Sequence, residues 1–511
     1  MDKKEKRKKF WLAIGLILAA AVLEILAFPP LNWYWLSFIF AVPLFFFLAE
    51  ENRLWRLLGG FFIFRLVFGL GTAYFLIEPI LFFSSILIFL GLPLSFYLIA
   101  KYSRRLALAS LIILWPVFEF LEARYTALPN FIVEIGNALG SSPFLGLARW
   151  GGLAGLTVFC IGINLLLFFL VREILKKEDK NKKNIIILTS LVFVILFSGL
   201  VISKIFLKQN HREYEALAGS KRVALVTDDG RLDEIFKKKE LDEKKLEIEI
   251  IKAGEMILKK LKELKTDSDF SLVILPEGLF DVIYDKTIDR EAKDNFKIDN
   301  DGILIKAYRN MAINLEVDLV ANVISRQDGR PYNTLLFFDS QGKLVDVFNK
   351  EKLTITGEYW PFGQWRPFYF NSLLDPKKNK EYYRDKENAV FNPANNLYRG
   401  ESKIISLEDI NLAPAICLEI HYPGLVKKRV EMGADMIINI SSSIWINNGL
   451  EKYLALTDNL KKIEAVWLKK PILSTGRKEN AGIITPDGKE AGILFDAFSS
   501  QNGVFIAEVR F

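Results

Sequence analysis

A thiol, a carboxylate and an ammonium each follow a short, largely apolar run in the second half of this chain. Cys417 ends Asn411-Leu-Ala-Pro-Ala-Ile416 and opens Leu418-Glu419-Ile420-His421. Glu277 closes Leu272-Val-Ile-Leu-Pro276, and Lys350 follows Leu344-Val-Asp-Val-Phe-Asn349. Runs of this kind read as buried strands, and loops at one edge of a sheet converge on a pocket. A thiol attacks a carbonyl as its thiolate, which a neighbouring base or cation supplies. Glu277 can take the thiol proton and later deprotonate an incoming amine. Lys350 can stabilise the oxyanion of a tetrahedral intermediate. Together the three suit acyl transfer. Taken singly, each also has a plain structural reading: packing for the cysteine, a solvated end of a strand for the other two.

The elements that must hold these groups fall into two parts. The chain has 511 residues, 51% of them hydrophobic, enough for two or more domains. The apolar residues concentrate before about residue 207. Stretches there at about 10–28, 33–49, 57–77, 80–100, 105–122, 152–171 and 185–207 approach the length that crosses a bilayer. The basic start (Lys3, Lys4, Lys6, Arg7, Lys8, Lys9) precedes an apolar run that leads into further spans, so a retained anchor is expected rather than a cleaved signal. Positive charges recur on alternate turns, at Arg53 and Arg56, at Lys101, Arg104 and Arg105, and between Arg172 and Lys183. That asymmetry puts the N-terminus in the cytoplasm, and an odd number of spans puts everything after about residue 208 outside it. The expected division is a transmembrane domain over 1–207, a linker over 208–221 and a catalytic domain over 222–511.

Composition removes several function classes. The net charge of +7 follows from anchoring loops and a Lys-rich second half, with no basic-aromatic module in sequence, so nucleic acid is not an expected partner. Two cysteines exclude a disulfide framework and a cysteine-rich zinc site. Two histidines leave little for a histidine metal centre or a Ser-His-Asp triad. No metal is expected. Arg65 lies mid-span, where charge is costly and often functional. It reads either as a lipid-phosphate contact or as the partner of a membrane carboxylate such as Glu24 or Glu119.

After residue 208 strands alternate with helices. Strands are expected at Arg222–Thr227, Leu272–Leu275, Val317–Ile324, Ala413–Ile416, Asp435–Ile440, Pro471–Ser474, Ala481–Ile484 and Gly503–Val509. A hairpin should join Thr334–Phe338 to Leu344–Phe348, and helices should cover Ile303–Ile313, Pro423–Met432 and Leu450–Leu468. Helical spacing also runs through Leu246, Ile250, Ile257, Leu261 and Leu264. Phe362–Glu401 reads as a long excursion over the mouth of the site. This alternation argues a layered α/β fold.

The flanking residues add a resemblance. Leu275-Pro276-Glu277, Asn349-Lys350 with Gly357-Glu358-Tyr359, and Ile416-Cys417-Leu418-Glu419 occur in the order and spacing of the nitrilase (carbon-nitrogen hydrolase) superfamily. With the N-terminal spans, about nine-tenths of the chain resembles its membrane branch, the apolipoprotein N-acyltransferases. Tyr332-Asn333, Trp445, Ile463-Glu464, Thr475-Gly476, Trp150-Gly151-Gly152, Asn164 and the Trp115–Glu122 stretch agree with it too. The resemblance implies a multi-pass helical membrane domain followed by a nitrilase-like α-β-β-α sandwich on the outer face of the cytoplasmic membrane, with no cofactor. It implies that Cys417 takes an acyl chain from a phospholipid donor and passes it to the α-amine of a lipoprotein's diacylglyceryl-cysteine. Glu277 and Lys350 complete the catalytic set, Glu358 orients Lys350, Glu419 supports it, and Trp445 lines the acyl pocket.

The pattern departs from the family in several places. Thr227-Asp-Asp-Gly230 replaces Gln-Gly-Asn, Leu353-Thr-Ile-Thr-Gly357 replaces Leu-Val-Pro-Phe-Gly, Leu418 stands for a tyrosine, and Ser442-Ser-Ile444 replaces the segment ending in Asn-Asp before Trp445. Val509-Arg-Phe511 stands where the family has a closing transmembrane helix. These changes leave two alternatives open: a membrane-tethered amidase-type hydrolase in which water replaces the amine, or a scaffold that keeps the fold without the reaction.

Overall fold

The computed structural model describes residues 3–72, 79–125, 130–176, 181–228, 243–279, 303–327, 330–355, 358–359, 397–444, 446, 449–493 and 503–511. The chain divides into two compact units. The first comprises Met1–Tyr214, Ile446–Lys469 and Thr485–Lys489; the second comprises Glu215–Trp445, Lys470–Ile484 and Glu490–Phe511.

Helices make the first unit: α1 (Lys3–Ala27), α2 (Ala41–Glu50), α3 (Leu54–Thr72), α4 (Pro79–Phe89), α5 (Gly91–Ala100), α6 (Arg104–Tyr125), α7 (Ala148–Ile174) and α8 (Lys182–Glu215). Among the described residues six stretches are long and apolar enough to cross a membrane: Lys4–Ala27, Leu54–Thr72, Phe82–Ala100, Arg104–Tyr125, Leu145–Ile174 and Lys182–Glu215. The segment expected at 33–49 differs. It is a 3-10 turn, Tyr34–Phe38, followed by α2, whose ten residues rise about 15 Å, half the thickness of a hydrocarbon core. A break inside an apolar bundle leaves backbone groups that need partners. Asn164 on α7 supplies them, accepting from the Ala41 N–H at 2.8 Å and donating to the Ser37 carbonyl at 2.7 Å.

Arg65 on α3 is buried and pairs with Glu122 on α6, at 2.6 and 2.5 Å to its two oxygens, not with Glu24 or Glu119 as the sequence suggested. Ser85 also donates to Glu122. Glu119 is held instead by neutral donors: the Trp115 indole at 3.0 Å, the Ile135 N–H at 3.1 Å and the Thr157 hydroxyl at 3.2 Å. A further helix, Leu450–Leu468, clusters with this unit. Its Trp467 ring lies against Gly152, where a Cβ would come within 2.8 Å and the backbone is left-handed (φ 57°). Only glycine suits that position without strain.

Strands make the second unit. The first sheet contains β1 (Ser220–Thr227), β2 (Leu272–Ile274), β3 (Asp318–Gln327), β4 (Arg330–Phe338) and β5 (Leu344–Asn349). The second contains β6 (Ile405–Leu407), β7 (Ile410–Ile416), β8 (Met436–Ser442), β9 (Ile472–Arg477), β10 (Ala481–Ile484) and β11 (Glu490–Ile493), and β12 (Gly503–Arg510) joins the first. The orders are β12-β1-β2-β3-β4-β5 and β6-β7-β8-β9-β10-β11. Both run antiparallel, parallel, parallel, antiparallel, antiparallel, so one strand pattern is used twice. No repeat at the sequence level announces it.

Alternation along the strands gives the layers. Ala224, Val226, Val273, Leu275, Leu319 and Ala321 share a core with the helices Glu243–Asp267 and Ile303–Leu315 on one face of the first sheet. The intervening Val223, Leu225, Leu272, Ile274 and Val320 are buried on the other face. There β1 meets β9: the Thr227 hydroxyl donates to the Gly476 carbonyl at 2.8 Å, and Thr475 donates to the Val226 carbonyl. The helix Pro423–Glu431 packs on β7 and β8 and closes an α-β-β-α sandwich. The short edge strands β6 and β11 were not expected from sequence; three or four residues carry too little periodicity to stand out.

Candidate active site

Each of the three reactive groups sits just past a strand of the sandwich. Glu277 lies three residues beyond the end of β2, Lys350 directly follows β5 and Cys417 directly follows β7. The run Leu272–Leu275 is apolar on both faces and buried throughout, so the first ionisable residue after it emerges at the sheet edge. Cys417 is 7% exposed, and its φ of 51° is left-handed, an uncommon and strained value for a residue with a Cβ. It forms the corner between β7 and a 3-10 turn over Cys417–His421. Asn439 on the neighbouring β8 fastens the corner, donating to the Ala415 carbonyl at 3.2 Å and the Cys417 carbonyl at 3.3 Å.

Asn333 organises the charges. Its amide donates to Glu277 Oε1 at 2.9 Å and to Glu358 Oε1 at 2.6 Å. Lys350 Nζ stands 2.9 Å from Glu358 Oε2, 3.0 Å from Glu358 Oε1 and 3.8 Å from Glu277 Oε1. The Thr354 N–H donates to Glu358 Oε2 at 2.6 Å, which fixes the second carboxylate. Asn322 on β3 extends the network: it donates to Asn333 Oδ1 at 2.8 Å and accepts from the Gly278 N–H at 3.0 Å. The Gly278 carbonyl in turn receives buried Arg477. Gly278, the residue after Glu277, is therefore held at both its N–H and its C=O.

Electrostatics assign the resting protonation states. Burial opposes the charge on Lys350, but Glu358, Glu277 and Cys417 outweigh it and raise its pKa above the ordinary lysine value, so it stays an ammonium. Burial pushes the Cys417 thiol well above its usual value, Glu277 adds to that, and Lys350 opposes it. The lysine does not suffice to hold a thiolate, so at neutral pH the nucleophile rests as a thiol.

Glu419 is placed differently from the other carboxylates. It is fully buried and accepts from the N–H groups of Glu351 (2.8 Å), Lys352 (3.1 Å) and Ile416 (3.0 Å), and from Arg429 at 3.0 Å. It ties the loop after Lys350 to the end of the strand that carries Cys417. Trp445 lies outside the described residues, as do Thr356 and Gly357 and most of the expected 362–401 excursion. Asn322, Asn333, Arg429 and Arg477 were not assigned a role from sequence. Asn322 had a signal, a lone amide inside the apolar run Leu319–Ile324. Among the described residues no group of three or more His, Cys, Asp or Glu is placed to hold a metal ion.

Sequence relatives agree with both halves. The carbon-nitrogen hydrolase family matches residues 250–489, and the apolipoprotein N-acyltransferase N-terminal domain matches residues 20–166. An apolipoprotein N-acyltransferase from Aquifex aeolicus (strain VF5) is 24% identical over 484 residues, 92% of this chain and 93% of that one. One from Haemophilus influenzae (strain ATCC 51907 / DSM 11121 / KW20 / Rd) is 23% identical over 502 residues, 93% of this chain and 84% of its own. Both halves of this chain are thus similar to the apolipoprotein N-acyltransferases. The chain is an acyltransferase-type enzyme built from apolar helices and a carbon-nitrogen hydrolase domain. A solved carbon-nitrogen hydrolase from Helicobacter pylori G27 covers 57% of this chain and 89% of its own, at 14% identity and a TM-score of 0.38.

Proposed function

We propose that this chain moves an acyl group from a phospholipid ester to the α-amine of a lipoprotein's N-terminal diacylglyceryl-cysteine, through a thioester on Cys417. The observation that carries the reading is the buried Glu277–Asn333–Glu358–Lys350 network beside a cysteine at a left-handed corner.

In the first half, Glu277 takes the Cys417 proton as sulfur attacks the ester carbonyl. Because the thiol rests protonated, the proton moves during attack rather than before it. The carbonyl oxygen becomes an oxyanion that faces the Lys350 ammonium. Collapse breaks the C–O bond, the leaving oxygen takes the proton from Glu277, and lysophospholipid departs. In the second half the neutral amine attacks the thioester and gives its proton to Glu277. The C–S bond breaks, the thiolate recovers the proton and the amide leaves. Glu358 keeps Lys350 charged and aimed, Glu419 positions the two loops, and we assign Trp445 to contact with the acyl chain. Positive charge on alternate turns supports a cytoplasmic N-terminus. Counting the broken Tyr34–Glu50 segment as a crossing gives the odd number that puts the sandwich on the outer face.

The test is intact mass of the membrane-purified protein, wild type and Cys417→Ala, after incubation with phospholipid. An acyl-sized, hydroxylamine-labile adduct on wild type alone is expected. Folded wild-type protein that takes up no acyl group overturns the thioester route.

A further inference from the structure

Beside the catalytic network lies a set of cations that the chemistry above does not use. The Lys352 ammonium lies 5.5 Å from the centre of the Tyr422 ring, and the Arg399 guanidinium lies 5.3 Å from the Tyr359 ring and donates to its hydroxyl at 3.3 Å. Arg330 lies 5.1 Å from the Tyr398 ring. Among the described residues none of these three cations forms an ion pair with a carboxylate. Lys350 and Arg429, by contrast, are each matched by two. The group is local to the site: Lys352 is two residues past Lys350, Tyr359 follows Glu358, and Tyr422 is five residues past Cys417. Tyr422 also lies within electrostatic reach of Tyr359, Lys350 and Arg399, which places both aromatic–cation pairs near the catalytic ammonium.

We propose that Lys352, Arg399 and the hydroxyls of Tyr359 and Tyr422 form a subsite for the phosphodiester of the acyl donor, at the mouth of the Cys417 pocket. This rests on the acyl-transfer reading above. A phosphate anion can accept several donors at once, and a guanidinium fork beside an ammonium and phenols offers them. The excess positive charge suits an anionic donor headgroup. Burial first, then Tyr359, pushes the Tyr422 hydroxyl up to about 12, so it remains a hydrogen-bond donor at neutral pH.

The test uses the full chain in detergent, with phosphatidylglycerol and a diacylglycerol of the same acyl chains as alternative donors for acylation of Cys417. Arg399→Gln should raise KM for phosphatidylglycerol about tenfold, with kcat little changed and diacylglycerol unaffected. Arg399→Lys should recover part of the loss. Equal losses on both donors, or no loss on either, overturns the subsite. Inorganic phosphate that displaces phosphatidylglycerol at equal concentration also overturns it, because the site would then hold a free anion. If wild type is acylated by neither donor, the acyl-transfer reading fails separately. The subsite is then judged on binding to Cys417→Ala, where Arg399→Gln must weaken phosphatidylglycerol relative to diacylglycerol.

Discussion

In the sandwich unit, Lys350 faces two carboxylates and Asn333 donates to both of them. In the helical unit, Arg65 lies among four buried glutamates and makes its ion pair with one, Glu122. Glu119 is satisfied by an indole, a backbone N–H and a hydroxyl, whereas among the described residues neither oxygen of Glu24 has a hydrogen-bond partner. The difference is one of cross-linking. Around Lys350 both carboxylates share the Asn333 amide and the ammonium, and Glu358 also takes the Thr354 N–H, so position and charge are set together. Around Arg65 one bidentate contact carries the pairing, and the other carboxyls add acid without adding an ion pair. A cross-linked network holds reacting groups still; a cluster that shares one ion pair in an apolar bundle depends on that pair.

The largest effect should come from breaking the cross-linked network at its base. Glu277→Gln removes the proton acceptor, and Cys417 acylation should fall about 10³- to 10⁴-fold. The same change removes a negative charge that helps hold the thiol up. Iodoacetamide should then alkylate Cys417 at lower pH in the variant than in wild type, even as turnover collapses. Acylation within about tenfold of wild type would remove Glu277 from the role of base. Next, Lys350→Met should cost about 10²- to 10³-fold in acylation. It should move alkylation to higher pH, because Lys350 is the cation that opposes the rise in the thiol pKa. Acylation within about threefold of wild type would remove Lys350 from oxyanion stabilisation. The smallest change in activity belongs to the helical cluster. Glu122→Gln leaves Arg65 without its ion pair and should cost about 3–5 kcal/mol of stability, read as a lowered melting temperature in detergent. Glu24→Gln, which breaks no hydrogen bond, should cost less than about 1 kcal/mol. Equal melting shifts for the two would remove the contrast between them.

Much of the sandwich was legible because its strands are short apolar runs closed by charged or turn residues. Leu272–Leu275, Ala413–Ile416 and Asp435–Ile440 gave strands at or near their expected bounds, and Leu450–Leu468 is a helix over the residues expected. The edge strands β6 and β11 were hidden by brevity. The membrane half was legible by hydropathy but not by continuity: nothing in Trp33–Glu50 announces the break that Asn164 supports from more than a hundred residues away. In the site, sequence pointed to groups that react, since type and flanking residues identify them. It marked Asn333 only as a family match and was silent on Asn322, Arg429 and Arg477, because an amide or guanidinium shows its role only through the partners folding brings to it. Arg65 shows the same limit: mid-span charge predicted a carboxylate partner but not which one.

The helix Leu450–Leu468 lies in sequence between β8 and β9, two adjacent strands of one sheet, yet it clusters with the apolar helices. The chain therefore passes between its units repeatedly rather than once. No single cut in the gene separates a water-soluble catalyst from its anchor. A fragment beginning after Glu215 would carry this helix with its buried Leu456, Leu460, Ile463, Ala465 and Val466 uncovered. For protein production, this enzyme is to be handled as an integral membrane protein from end to end.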